Sequence, residues 1–338
     1  MENSPNPFRI FSLDGGGVRG LLSARILESI ERRTHARFYD HVDLLAGTST
    51  GAILAAGLAC GFTIEEIVRF YNEEAPKIFA DSWWNNVKDL GQLLGAQYDI
   101  EPFREALTRI FGNRRLGDLS KRFLAVTFDL KSDEQPYHWK PKVFHNFPGP
   151  DSDADEIVAD VVLRSCAVPT YFPVYQGHID GGVTGVTNPV MCAVAQALDG
   201  RNELTNKVQL SDLLVLSIGT GRVPTYIDGS TLDWGLAKWA PYLMDLMQDG
   251  TVDVSHFQCE QVLGDRYHRV QPVLPRKVKL DDAGEVAFLE EVAGSKEVQG
   301  MAEEAGEWVE RVGYLSPRSR SDSSDSTKEH PLHPEPEE

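Results

Sequence analysis

The sequence is short of the residues that mark several large functional classes. Of its 338 residues only four are cysteine, namely Cys60, Cys166, Cys192 and Cys259. They lie far apart with no paired spacing, so neither a disulfide framework nor a zinc site is expected, and a reducing, cytoplasmic setting suits them. Cations are scarce beside anions: 33 Lys and Arg stand against 51 Asp and Glu, a formal net charge of −18. That balance argues against nucleic acid as a partner and against simple electrostatic docking on anionic membranes. No apolar run is long enough to span a bilayer. The first residues lack a basic segment followed by an apolar one, so no signal peptide is expected. No internal repeat is visible. What remains is ordinary for a soluble globular protein, with 41% hydrophobic and 25% charged residues. The chain can bury one large core or two modest ones.

The most informative stretch is Leu44 to Gly51, read as Leu-Leu-Ala-Gly-Thr-Ser-Thr-Gly. It contains a G-x-S-x-G formed by Gly47, Ser49 and Gly51. Apolar residues lead in, and good helix formers from Ala52 to Leu58 lead out, which predicts a strand, a sharp turn and a helix. A serine at such a turn sits on strained backbone with its oxygen exposed, and its flanking residues must be nearly free of side chain. The helix that follows points its N-terminal N–H groups at the same place and favours a developing anion. The pattern alone is also common by chance.

A second glycine loop precedes it. Phe8 to Leu13 reads as a short strand, followed by Asp14-Gly-Gly-Gly-Val-Arg-Gly20 and a helix to about Arg33. Consecutive glycines leave backbone N–H groups unshielded, and at a helix N-terminus such a nest suits an oxyanion or a phosphate. Gly15, Gly17 and Gly20 also satisfy G-x-G-x-x-G. A dinucleotide site, however, needs an acidic residue at the end of the second strand, where this chain has the Gly47-Thr48-Ser49 turn. Asp14 beside the glycines would also repel a pyrophosphate. A tight turn without any ligand stays open as the plainer reading. A third piece is Tyr171 to Tyr175 running into His178-Ile-Asp-Gly-Gly182. An aspartate at a strand end with backbone room around it can take a proton from a serine, although Asp-Gly-Gly by itself is usually a turn.

Taken in order, the three pieces resemble the patatin-like phospholipase family. Arg164 to Pro173 resembles the segment that leads to that family's catalytic aspartate, and Leu216 to Gly221 its late glycine turn. The resemblance spans roughly Phe8 to Pro272. It implies a Ser-Asp dyad without histidine, with Ser49 as nucleophile, Asp180 as its base, and Gly15, Gly16 and Gly17 as oxyanion-hole donors. The chain departs from the family at Val186-Thr-Asn-Pro189, where two asparagines more often precede the proline, and the expected effect is on packing behind the site.

The remaining chain supplies walls and questions. Arg19 puts a cation in the first turn of a helix, against the macrodipole, so a carboxylate or carbonyl near the glycine loop should brace it, or it contacts a phosphate head group. Trp83 and Trp84 are adjacent and cannot both be buried on one face; they read as core plus rim, or as an apolar lip that meets lipid. Asp151 to Asp155 lacks the glycine and terminal glutamate of an EF-hand and reads as a solvated helix start. Leu232 to Met247 is amphipathic at helical spacing and is expected to pack on the sheet, with a pocket wall as the alternative. Val286 to Val312 reads as helical and amphipathic. From Leu315 the chain turns to Ser, Pro, Arg, Asp and Glu and should be disordered. His256 and His268 follow Asp180 and could complete a hydrolase triad, but only one strand and one helix precede the strand before Ser49, which disfavours that fold. His178 would share a face with Asp180.

The expectation is therefore an α/β, three-layer sandwich with a central, mostly parallel sheet, patatin-like over residues 1–314, with a polar tail over 315–338. The expected activity is serine hydrolysis of fatty-acyl esters of phospholipids or other lipids, a phospholipase A or lysophospholipase type of reaction. A general carboxylesterase or a non-catalytic lipid-binding module is the alternative. No cofactor and no metal are expected. The partner is a lipid or phospholipid substrate, with peripheral membrane contact.

Overall fold

A computed structural model describes residues 7–74, 96–132, 135–169, 171–229 and 233–316. The Trp83–Trp84 pair and the tail beyond Ser316 lie outside the described residues.

Among the described residues, seven strands form one sheet: β1 (Phe8–Leu13), β2 (Leu44–Thr48), β3 (Arg122–Asp129), β4 (Lys140–His145), β5 (His178–Asp180), β6 (Leu213–Ile218) and β7 (Tyr267–Val270). The order is β4-β3-β2-β1-β6-β7, with β5 joined to β3. The ladder from β3 through β7 is parallel, whereas β4 and β5 both run antiparallel to β3. The central strands read as near-continuous apolar runs because both faces are covered. Along them the side chains alternate. Phe11, Leu13, Leu45, Phe123 and Leu216 enter one core, and Ile10, Leu44, Ala46, Leu124 and Val215 enter the other.

Helices fill both sides, giving three layers. The larger core lies under α1 (Gly20–Thr34), α2 (Phe38–His41), α3 (Thr50–Ala59), α4 (Ile64–Glu73), α5 (Glu101–Phe111), α6 (Val158–Cys166) and two late helices. The smaller core lies under α7 (Val190–Ala197) and the second half of α8 (Leu236–Leu263). The late helices are α9 (Val286–Ala293) and α10 (Lys296–Arg311). The helical stretch expected over 286–312 is made of these two helices, because Gly294 ends one and the Ser295 hydroxyl accepts Val298 N–H to cap the next.

Ahead of β5 a tight turn at Gln176 and Gly177 folds Tyr175 back onto His178. One expectation changes here. The described part of the amphipathic segment 232–247 does not pack on the sheet; the later half of α8 does so instead, through Cys259 and Leu263. Leu236, Leu243 and Met247 in its first half are exposed. Among the described residues, no helix is long and apolar enough to cross a membrane.

Candidate active site

The site is assembled by β3. One edge of β3 carries β4 along its outer length, and the other edge is shared by two strands arriving from opposite directions. On that shared edge Thr48, the last residue of β2, faces Val126, and Asp180, the last residue of β5, faces Thr127. Neighbouring rungs therefore deliver the turn at Ser49 and the Asp180 carboxylate to one place, although 131 positions separate them in sequence.

Ser49 lies between β2 and α3 with φ 55° and ψ −125°. This is left-handed backbone that a side-chain-bearing residue adopts at a cost of about 1–3 kcal/mol. The flanking glycines are required by the crossing. A Cβ on Gly47 would strike the Gly51 carbonyl, and one on Gly51 would strike that of Leu13. The strained peptide is held by Ser165: Ser49 N–H donates to Ser165 Oγ at 2.9 Å, and that hydroxyl donates to Val126 O at 2.7 Å.

The Ser49 hydroxyl lies beside the Asp180 carboxylate, close enough to favour its charged form. Asp180 Oδ1 accepts Gly182 N–H at 2.6 Å, and the Val183 N–H nearby also favours its charged form. Ser49 is 8% exposed and Asp180 2%. Burial pushes the Asp180 pKa up to about 6, against the pull of these three groups. An ionised Asp180 is thus a far better proton acceptor than an exposed aspartate, and near neutrality it is still mostly ionised. Cys166 is the other polar neighbour of Ser49. Burial pushes its thiol pKa well up, so it stays a neutral thiol and does not compete as a nucleophile.

The glycine loop lies across from this pair. Gly15 N–H already donates to Thr187 O at 2.9 Å, which removes it from the three expected oxyanion donors. Gly16 and Gly17 stand at the start of a 3-10 turn that leads into α1, and among the described residues their N–H groups meet no carbonyl. Gly17 has φ +58°, which aims its peptide differently from its neighbours' and suits only glycine here, since a Cβ would strike the Leu280 carbonyl. Thr187 belongs to the 186–189 segment that departs from the family pattern. That segment is part of the site wall rather than packing behind it, since Val186 O also accepts the Thr48 hydroxyl at 2.9 Å.

Arg19 braces this loop. Its Nε donates to Gly16 O at 3.3 Å and its Nη1 to Gly221 O at 3.1 Å. Burial disfavours its charge, and Asp249, Asp14 and Asp245 offset that. Asp14 is paired in its turn with buried Arg269, which binds both carboxylate oxygens (Nη1 to Oδ1 at 2.8 Å) and also Ser217 Oγ at 2.7 Å. Asp14 is therefore a neutralised anchor of the loop and not the bare charge that the sequence suggests. Arg269 has no motif to announce it, and Ser165 is visible only inside the Arg164–Pro173 resemblance.

The cleft above Ser49 holds about 850 Å³ including its open mouth. Ile53, Phe70, Phe103, Val168, Phe172 and Leu280 make its walls apolar, while Ser49, Asp180 and the glycines form its polar floor. Among the described residues no histidine lines it. His178 Nδ1 pairs with Gln176 O at 2.8 Å, His256 Nδ1 with the Tyr267 hydroxyl at 3.2 Å, and His268 stacks on Trp308. Among the described residues no cluster of His, Cys, Asp or Glu could hold a metal ion.

Residues 11–194 match the family model described as patatin-like phospholipase. The cGAMP-activated phospholipase of Pseudomonas aeruginosa is 30% identical over 297 residues, covering 85% of this chain and 83% of that protein. Patatin-like protein 1 of Arabidopsis thaliana is 30% identical over 310 residues, covering 77% and 73%. Patatin-T5 of Solanum tuberosum is 27% identical over 323 residues, covering 82% and 79%. The matched span holds both glycine turns and the Asp180 turn in their order along the chain, and with relatives that cover most of its length, the chain belongs to the patatin-like phospholipase family.

Proposed function

We propose that the chain hydrolyses fatty-acyl esters of phospholipids or related lipids through a Ser49–Asp180 dyad. The observation that carries this reading is the Ser49 hydroxyl, on strained backbone, standing beside the buried Asp180 carboxylate in one cleft that, among the described residues, no imidazole lines. Asp180 takes the hydroxyl proton as Ser49 Oγ attacks the ester carbonyl. Gly16 and Gly17 N–H groups face the oxygen that becomes negative, and the positive end of α1 adds to them. The alkoxide leaving group departs with the proton held by Asp180, leaving an acyl-serine. Water then gives a proton to Asp180, attacks the acyl carbon, and releases the fatty acid as the proton returns to Ser49.

The apolar walls suit an acyl chain, and the relatives bearing phospholipase or patatin names support the substrate class. All four cysteines are free thiols, which suits a cytoplasmic setting. The test is fatty-acid release from a phospholipid panel, read by mass spectrometry, together with labelling by a serine-directed fluorophosphonate. Wild type should release acid and carry the label on Ser49, and Ser49→Ala should do neither. Release by folded Ser49→Ala, or a label elsewhere, would sink the assignment.

A further inference from the structure

The length of α8 does not match the sheet it packs on. Its 28 residues extend about 42 Å, whereas the six residues of β6 extend about 20 Å. The helix enters β7 through a short turn at Gly264–Arg266, so its C-terminal end lies at the amino edge of the parallel strands. Its N-terminal half must then overshoot the carboxyl edge, where Ser49 and the glycine loop sit. Gln248 fixes the level, because it lines the cleft itself. The residues before it, 236–247, project about 18 Å beyond the site with no sheet beneath them.

Apart from Lys238 and Asp245 that projection is apolar, and Met244 and Leu246 in it are exposed as well. Asp245, Asp249 and Asp253 recur every four residues, exposed but within reach of cations of the neighbouring segments. Asp245 meets Lys277 Nζ at 2.6 Å and Asp253 meets Arg222 at 3.0 Å, while Asp249 lies near buried Arg19. Leu236, Leu243 and Met247 fall on a line well away from that stripe and are 76%, 42% and 57% exposed. Trp234, Trp239 and Tyr242 cluster at the start of the helix, with ring centroids 5.2 and 5.9 Å from Trp234. Trp139, 72% exposed beside the first residue of β4, stands at the same end of the sheet. Apolar side chains with Trp and Tyr at their margin match the boundary between lipid tails and head groups.

We infer that the first half of α8 docks on a zwitterionic phospholipid surface and holds the cleft mouth against it. The choice of lipid as occupant rests on the proposed hydrolase reading and on the continuity of the projection with the cleft at Gln248. A second protein copy seated there would cap the mouth instead of supplying substrate. The head-group preference follows from charge. The apolar line carries no cation of its own, and a chain of net charge −18 is repelled by anionic lipid.

The test uses the full chain and phosphatidylcholine vesicles, with and without phosphatidylglycerol, in a sedimentation assay. The variant is the double substitution Leu243→Gln and Met247→Gln, which keeps helix propensity and charge while removing exposed apolar surface. Wild type and Ser49→Ala should both bind phosphatidylcholine vesicles, and phosphatidylglycerol should weaken binding. The double variant should bind about tenfold more weakly or worse and lose vesicle hydrolysis in proportion, while keeping its activity on a soluble short-chain nitrophenyl ester. Wild type that ignores phosphatidylcholine, or a variant that binds as well as wild type, would overturn the inference. So would light scattering that shows a wild-type dimer and a monomeric variant. Loss of all hydrolysis without loss of binding would instead strike the catalytic reading alone.

Discussion

Ser165 Oγ accepts the backbone N–H of Ser49 at 2.9 Å and passes its own proton to Val126 O at 2.7 Å. One buried hydroxyl thus ties α6 and β3 to the strained turn between β2 and α3. Ser165→Ala leaves a buried N–H and a buried carbonyl without this partner, which should lower stability by about 1–3 kcal/mol. It should also lower turnover more than substrate affinity, because the displaced group is the turn that carries Ser49. Melting curves and steady-state kinetics of the variant check both. Wild-type kcat in Ser165→Ala would mean that the turn holds itself.

Asp180→Asn should reduce turnover on the order of 10²- to 10⁴-fold, since an amide keeps the shape but cannot take the proton. His178→Ala, His256→Ala and His268→Ala should each keep most of it, as their rings point to Gln176, Tyr267 and Trp308. A folded histidine variant as inactive as Ser49→Ala would replace the dyad with a triad.

The raised Asp180 pKa makes two statements about pH. For catalysis, kcat/KM should fall with decreasing pH through about 6 as the base protonates. For stability the sign is opposite. The folded value of about 6 lies above the ordinary 3.8, so the folded state holds this proton more tightly. The contribution is fully present below the unfolded value and is lost as pH rises through about 6, a difference of roughly 3 kcal/mol. The melting temperature of Asp180→Asn relative to wild type should therefore improve from pH 5 to pH 8. A pH-independent difference would contradict the burial that raises this pKa.

Much of this site was legible in the sequence because backbone geometry restricts it to few residues. Gly47 and Gly51 cannot carry a Cβ where strand and helix cross, and Gly17 cannot where the loop meets Leu280, so these positions announce themselves. Asp180 was legible through its own two glycines. Partners that act through side chains from distant segments leave no local pattern. Arg269 lies 255 residues from Asp14, and Ser165 lies 116 from Ser49. The N–H of Gly15 was misread for the same reason, since only the fold brings Thr187 O to it. Periodicity found α8 but not its exposure, because an apolar stripe looks the same whether a sheet or nothing lies under it.

Arg269→Met should be among the most damaging substitutions outside the cleft. The pair it forms with Asp14 is almost fully buried, at 6% and 2% side-chain exposure. Removing one partner of such a pair typically costs 3–5 kcal/mol, because the other charge stays buried and unpaired. Asp14 also leads directly into the glycine loop, so residual folded protein should show weakened turnover. The double variant Asp14→Asn with Arg269→Met should recover part of the stability, since it removes both charges. Denaturant unfolding of the three variants measures this, and a double variant no better than Arg269→Met would show that shape, not charge, holds the loop.

The C-terminal boundary of the folded unit can be argued from three residues. Tyr314 is fully buried, donates its hydroxyl to Ile10 O at 2.9 Å, and packs its ring against Phe38 and Trp308. Leu315 packs on the larger core, and Ser316 O accepts Arg9 Nη2 at 3.0 Å across β1. These contacts put 315 and 316 with the fold, two residues beyond the boundary that composition suggests. Deleting 317–338 should leave the melting temperature and the specific activity unchanged, because that stretch is polar and proline-bearing and can bury little. Deleting 314–338 removes a buried aromatic and leaves Ile10 O and Arg9 short of partners, which should cost about 3–5 kcal/mol, on the order of 10 °C in melting temperature. Thermal melts of the two truncations against the full chain decide it. Equal losses in both would place structural contacts beyond Ser316, and no loss in either would mean that the Tyr314 contact with β1 contributes nothing measurable.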